Sequence, residues 1–232
     1  MSPEPVVLSW SGGKDSSLAL AALRSDPRYE VVGLLTSITS GYDRVSIHGV
    51  RRELVEAQAR ALRLPLHEVT LQPSSSNEAH ETAFAEALAR LRAAHADVRH
   101  LAFGDLFLED VRAYRERTLA GTGYEPLFPV WGRDTTALAK EFIEAGFKAT
   151  LVCVDTTQLS ASFAGRPFDD ELLADLPHTV DPCGERGEFH TFVSAGPIFS
   201  EEIHVAVGEV VLREARFAFC DLRPARAERP AG

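Results

Sequence analysis

The feature that most constrains this chain is the segment Ser9-Trp10-Ser11-Gly12-Gly13-Lys14-Asp15-Ser16-Ser17. A short run of β-formers, Val6 to Trp10, leads into it. Lys14 to Leu23 reads as a helix leading out. Glycines free the backbone to approach a ligand without a Cβ. A helix start adds free N–H groups and the positive end of its dipole. Lys14 contributes a charge, and Ser11, Ser16 and Ser17 contribute hydroxyl donors. Strand, glycine turn and helix together read as a phosphate cradle. It is not a Walker loop: aligned on Gly13-Lys14, Leu8 stands at the first glycine and Asp15 at the Ser/Thr position. The dinucleotide pattern GxGxxG is also absent. Lys14 is expected to be exposed, so that its removal would cost little stability.

The pattern downstream sets the fold class. Val31–Ile38, Leu66–Leu71 and Arg99–Phe103 read as strands. Val50–Leu62, Asn77–Ala94 and Phe107–Leu119 read as helices. Such alternation implies crossover units on a parallel sheet, an α/β Rossmann-like fold. After Gly121 the pattern changes. Pro126, Pro129 and Trp131 read as a stiff linker, Thr135–Ala145 and Phe168–Leu176 as helices, and Ala149–Asp155 as a strand. Pro182–Glu188 reads as a loop. Ile203–Val207 and Val211–Phe219 read as a hairpin turning at Gly208-Glu209. The expected organisation is a nucleotide domain over 1–125, a smaller α+β lobe over 126–222 and a flexible tail over 223–232.

Composition narrows the partners. The chain has 232 residues, 45% of them hydrophobic and 25% charged, which suits a folded domain with a sizeable core. Lys and Arg number 24 against 34 Asp and Glu, a net charge of −10. A large nucleic-acid footprint or an anionic membrane surface is not expected of that balance. Three scattered cysteines give neither a disulfide framework nor a CxxC metal site. No segment reads as a targeting signal or a membrane span, so a reducing cytoplasm is the expected location. A homodimer is left open.

SGGKDS resembles the loop of the N-type ATP pyrophosphatases, the PP-loop or adenine nucleotide alpha hydrolase superfamily. The resemblance sharpens at Ser46-Ile47-His48-Gly49-Val50, Phe103-Gly104-Asp105-Leu106, Arg112 and Pro129-Val130-Trp131. It is most specific at Asp181-Pro182-Cys183-Gly184-Glu185-Arg186-Gly187-Glu188-Phe189-His190-Thr191-Phe192-Val193, followed by Gly196-Pro197. These are similar to the diphthine–ammonia ligase family, in its short archaeal and bacterial form, from about Val6 to Phe219. The resemblance implies ATP with Mg²⁺ and a carboxylate activated as an acyl-adenylate. AMP and pyrophosphate would be released, and ammonia would be the nitrogen donor. The acceptor would be diphthine on translation elongation factor 2 in an archaeal or eukaryotic source, and another carboxylate in a bacterial one. A tRNA-modifying enzyme of the same superfamily and an ATP-binding module without turnover are the competing readings.

Roles follow for single residues. Lys14 and the Gly12–Ser16 amides suit the phosphates. Asp15 either binds Mg²⁺ or caps the helix. Gly104-Asp105 ends a parallel strand, where ligands of open α/β sheets sit, and Asp105 either faces the ligand or caps the next helix. Thr36 and Ser37 lie where the family's adenosine would pass. His48 can reach the pocket, although a lone histidine is more often structural. Glu185 and Glu188 form a carboxylate pair in a glycine-bracketed loop, suited to holding and deprotonating a nitrogen nucleophile; the bland reading is a solvated turn. A zinc site from Cys183, His190 and the glutamates matches no common spacing. A Cys183 nucleophile lacks a readable His–Asn context.

Overall fold

A computed structural model describes residues 2–46, 48–73 and 76–225, apart from the Asn77 side chain. Residues 226–232 of the expected tail, and Ile47, lie outside the described residues. The first sheet is built from β1 (Glu4–Ser9), β2 (Tyr29–Thr39), β4 (Leu66–Leu71), β5 (His100–Ala102) and β6 (Glu125–Leu127), parallel in the order β4-β2-β1-β5-β6. A two-residue strand, β3 (Arg44–Val45), adds antiparallel to the end of β2. The connecting helices are α1 (Lys14–Ser25), α2 (Arg52–Leu62), α3 (Asn77–Ala94) and α4 (Glu109–Leu119). Chain order reverses at β1, whose neighbours are β2 and β5. The carboxyl ends of β1 and β5 therefore border the crevice where open α/β sheets bind ligands.

Alternation along β1 serves two layers. Val6 and Leu8 enter one buried cluster, and Val7 enters another with Leu88, Leu91 and Leu101. The first cluster continues without a break into the second half, taking in Phe142, Leu151, Phe189 and Phe192. The C-terminal half thus shares its core with the face of the parallel sheet that α1 covers.

That half contains α5 (Thr135–Glu144), β7 (Lys148–Asp155), a 3-10 turn (Ala161–Phe163), α6 (Asp170–Asp175), β8 (Phe189–Ala195), β9 (Val205–Arg213) and β10 (Phe217–Pro224). The four strands form an antiparallel sheet ordered β8-β7-β10-β9.

Three features differ from the sequence expectations. The stretch around Pro126 is not only a linker: β6 extends the first sheet past residue 125, with Pro126 tolerated on an edge strand. Residues 223 and 224 belong to β10. The hairpin does not turn at Gly208-Glu209; β9 runs straight through them. A Cβ on Gly208 would stand 2.5 Å from the Asp221 carbonyl oxygen, beside a register shift between Cys220 and Leu222. That glycine serves a bulge with close backbone approach. The real turn uses Glu214 and Ala215, both at positive φ (52° and 51°).

Candidate active site

The glycine turn and the start of α1 form one wall. Ser11 Oγ accepts from Gly13 N (3.2 Å), and the hydroxyls of Ser16 and Ser17 donate back to Gly13 O (2.9 and 3.0 Å). Three of the expected hydroxyl donors are thus already engaged in shaping the turn. Gly12 stands at φ +80°. The space its Cβ would take is filled by Gln58 Oε1, at 2.8 Å. A Cβ on Gly13 would meet Thr191 O at 3.0 Å, and one on Gly104 would meet the main chain of Asp15 and Ser16 at 2.8–2.9 Å. These glycines admit other parts of the protein: β8 against the loop, and the end of β5 against α1.

Gln58 is the fastener that sequence reasoning missed. It is fully buried, accepts from Trp10 Nε1 (2.9 Å), and donates to Gly12 O (3.0 Å) and Val193 O (2.6 Å). Val193 N also donates to Gly12 O, at 2.9 Å. The available signal was a polar residue on the apolar stripe of a helix, four positions after Leu54. Thr191 was missed as well; its hydroxyl accepts from Lys14 N at 3.1 Å.

Lys14 is not exposed: only 2% of it meets solvent. Its ammonium binds both Asp15 oxygens (2.9 and 3.0 Å) and the carbonyl of Cys183, with the rings of Phe189 and Phe168 at 5.5 and 5.9 Å. Burial alone would favour the neutral amine. Burial is the largest single effect, but Asp15, Cys183 and Glu185 together outweigh it and raise the pKa above that of ordinary lysine. Asp15 makes no side-chain cap for α1, whose N-cap is Gly13. Its carboxylate keeps 30% exposure.

The second wall is the Asp181–Glu188 loop between α6 and β8. Asp181, buried, organises it: Oδ1 accepts from Cys183 N (2.9 Å) and Glu185 N (3.3 Å), and Oδ2 accepts from Thr135 Oγ1 (2.7 Å). Glu185 reaches across to the end of β5, where Oε1 accepts from Leu106 N at 2.7 Å. Burial, with the nearby Asp15 charge, pushes its pKa up to about 7, against the lowering effect of the Leu106 amide. Glu188 is 1% exposed. Its Oε1 accepts from Asp181 N (2.8 Å), while Oε2 has no partner among the described residues. The two glutamates therefore bond different partners, and neither is a freely solvated turn residue.

The remaining expected residues divide. His48 stacks on His190, with centroids 4.4 Å apart, and its Cε1 lies 3.4 Å from the place of a Gly13 Cβ. Burial holds both imidazoles neutral, His48 well below its usual value and His190 down to about 4. Thr36 follows Leu35, whose carbonyl accepts from Trp10 N at the entry to the loop. Thr36 Oγ1 and His48 Nδ1 are buried without partners among the described residues. Such orphaned groups suit a polar ligand at the loop. Asp105 does not cap α4, whose N-cap is Leu108; it pairs with Arg115 at 3.3 Å.

Among the described residues no group of three His, Cys, Asp or Glu side chains is placed to hold a metal ion. The conceived zinc site is therefore not assembled: Cys183 donates to Thr135 O, and its thiol is pushed up to about 12 by burial. No described helix is long and apolar enough to cross a membrane.

Residues 5–125 match the model of the diphthamide synthase N-terminal domain, and residues 134–226 that of the C-terminal domain. The diphthine–ammonia ligase of Bos taurus is 27% identical, covering 88% of this chain and 84% of its own length. That of Schizosaccharomyces pombe is 26% identical over 87% of this chain but only 36% of its own. A solved U34-tRNA thiolase NcsA from Methanococcus maripaludis, with its 4Fe-4S cluster, shares 16% identity at a TM-score of 0.39, over 62% of this chain and 58% of that one. On the two domain matches, and with the ligases named among its relatives, the chain belongs to the diphthamide synthase family and is an ATP-dependent ligase.

Proposed function

We propose that this chain activates a carboxylate as an acyl-adenylate and passes it to ammonia. The acceptor carboxylate attacks the α-phosphorus of ATP, the bond to the β-phosphate bridge breaks, and pyrophosphate leaves. Ammonia then attacks the acyl carbon, the bond to AMP breaks, and the nitrogen gives up one proton. The acceptor we assign is the carboxylate of diphthine, the substrate in the names of the relatives, carried on elongation factor 2 as the family resemblance implies. In a bacterial source it would be another carboxylate of similar setting.

One observation carries the reading: Glu185 stands where the two loops meet, half-buried, with a pKa of about 7. A base poised near neutral pH can take the proton of the nitrogen nucleophile. Lys14 and Asp15, beside it, hold the phosphate loop to the Cys183 carbonyl. Thr36 and His48 have unpaired atoms free for the nucleotide. Glu188 acts through Asp181, as a support of the loop. Mg²⁺ belongs to this reading only as the ion that ATP carries, with the half-buried Asp15 carboxylate nearest the loop to meet it.

The test is product analysis with acceptor, ATP and ammonia. AMP, pyrophosphate and one amide per turnover are expected. ADP and phosphate would refute the adenylate, and absence of turnover with every carboxylate acceptor would favour a binding module.

A further inference from the structure

β9 is the edge of the second sheet, paired on one side with β10. Four of the six exposed large hydrophobic residues among those described lie on it: Val207, Val210, Val211 and Leu212, between 37% and 58% exposed. It spans nine residues with no proline and no lysine. A long apolar edge of this kind is what folded proteins normally blunt, because its free N–H and C=O groups pair with any other strand.

We infer that β9 is the contact surface for a second copy of this chain, the two β9 strands pairing antiparallel about a two-fold axis into one continuous sheet. The sequence of the strand, Val205-Ala206-Val207-Gly208-Glu209-Val210-Val211-Leu212-Arg213, selects a single register. A two-fold axis perpendicular to the sheet must pass between one residue and its own copy, because facing side chains share a side. Centred on Glu209, it would set like charges opposite each other. Centred on Val210, it would set Glu209 against a valine; centred on Leu212, Arg213 against a valine. Only the axis at Val211 sets Glu209 of each copy opposite Arg213 of the other. Neither side chain has an ion-pair partner among the described residues of its own chain.

The apolar residues agree with that register. Val211 then faces Val211 of the second copy on the side that carries the charge pairs. On the other side Val210 faces Leu212, twice. Within one copy Val210 lies opposite Cys220 and Leu212 opposite Ala218, both buried. Val210 and Leu212 therefore extend the core beyond its rim, and the second copy continues it.

Sedimentation equilibrium of the full chain tests this. The wild type is expected to dimerise. Glu209→Arg sets two arginine pairs across the axis and is expected to weaken the dimer about tenfold or more. Glu209→Arg with Arg213→Glu exchanges the charges and is expected to restore it. All three are read alongside circular dichroism and ATP binding, which exposed β9 substitutions leave unchanged. A monomeric wild type, or a dimer indifferent to Glu209→Arg, overturns the inference. A single variant that weakens while the exchanged pair fails to recover overturns the register.

Discussion

Glu185 Oε1 accepts a hydrogen bond of 2.7 Å from the amide of Leu106, 79 positions earlier in the chain. That bond ties the turn of the second half to the carboxyl end of β5. It also fixes where a carboxyl with a pKa of about 7 must stand. A carboxyl held at this crossing has the protonation equilibrium that the proposed base needs near neutral pH.

Glu185→Gln keeps the shape and removes the base. Turnover is expected to fall by roughly 10²-fold or more, the scale of a positioned proton-transfer group, with ATP affinity retained. In the wild type kcat is expected to rise with pH through about 7, as Glu185 loses its proton, and in the variant that limb should disappear. A pH–rate profile of both proteins checks this.

The same carboxyl has a stability signature. Its folded pKa lies above its unfolded value, so between about 4.5 and 7 the native state holds more protons. Stability from this group therefore falls as pH rises through that window. Urea midpoints measured from pH 4.5 to 7 should show this decline in the wild type relative to Glu185→Gln.

His190 runs the other way. Its folded pKa of about 4 lies below the unfolded 6.5, a consequence of burial and the nearby Lys14 charge. The unfolded chain binds the proton first, so stability is lost as pH falls from 6.5 towards 4. His190→Gln should flatten that part of the curve, read by thermal melts at fixed ionic strength.

Lys14→Ala is expected to weaken ATP binding several-fold or more, measured by calorimetry. It should also destabilise the fold by about 3 kcal/mol, since one member of a buried ion pair is lost. Denaturant titration gives that figure directly. An exposed lysine would have shown no such loss, and the 2% exposure is the reason for the revised expectation.

Gln58→Leu removes one acceptor and both donors that join Trp10, Gly12 and Val193. Trp10 Nε1 and Val193 O lose their Gln58 partner, while Gly12 O keeps its bond from Val193 N, so the loss should be about 3 kcal/mol, at about 1–3 kcal/mol for each unsatisfied group. ATP affinity should fall with it, because Gly12 loses one of its two anchors and keeps only Val193 N. Gln58→Glu should not rescue either loss, since a carboxylate cannot donate to the two carbonyls.

The first half of the chain was legible because its signals are local. The glycine turn after β1, the stripe of α3 and the strand–helix alternation each lie within a short window. The antiparallel sheet was harder to read. β8 begins in the motif at Phe189–Val193 and is paired with β7, some forty residues earlier, by contacts that periodicity does not record. Gly208 suggested a turn because glycine usually marks one, whereas here it lets the Asp221 carbonyl come close. In the site, residue types and loops were readable, but partners were not. The sequence offers Glu185 and Glu188 as equals three positions apart. Only the fold separates them, sending one to the Leu106 amide and the other to the Asp181 amide.

The central claim is that the two loops build one adenylating site, and isotope exchange tests it most directly. With ATP, the acceptor carboxylate and no ammonia, labelled pyrophosphate is predicted to enter ATP, because the acyl-adenylate forms reversibly and waits for its nucleophile. Glu185→Gln should exchange at nearly the wild-type rate, since its proton transfer comes after adenylation. Absence of exchange with an acceptor that the enzyme does amidate, or release of ADP in its place, would contradict the account.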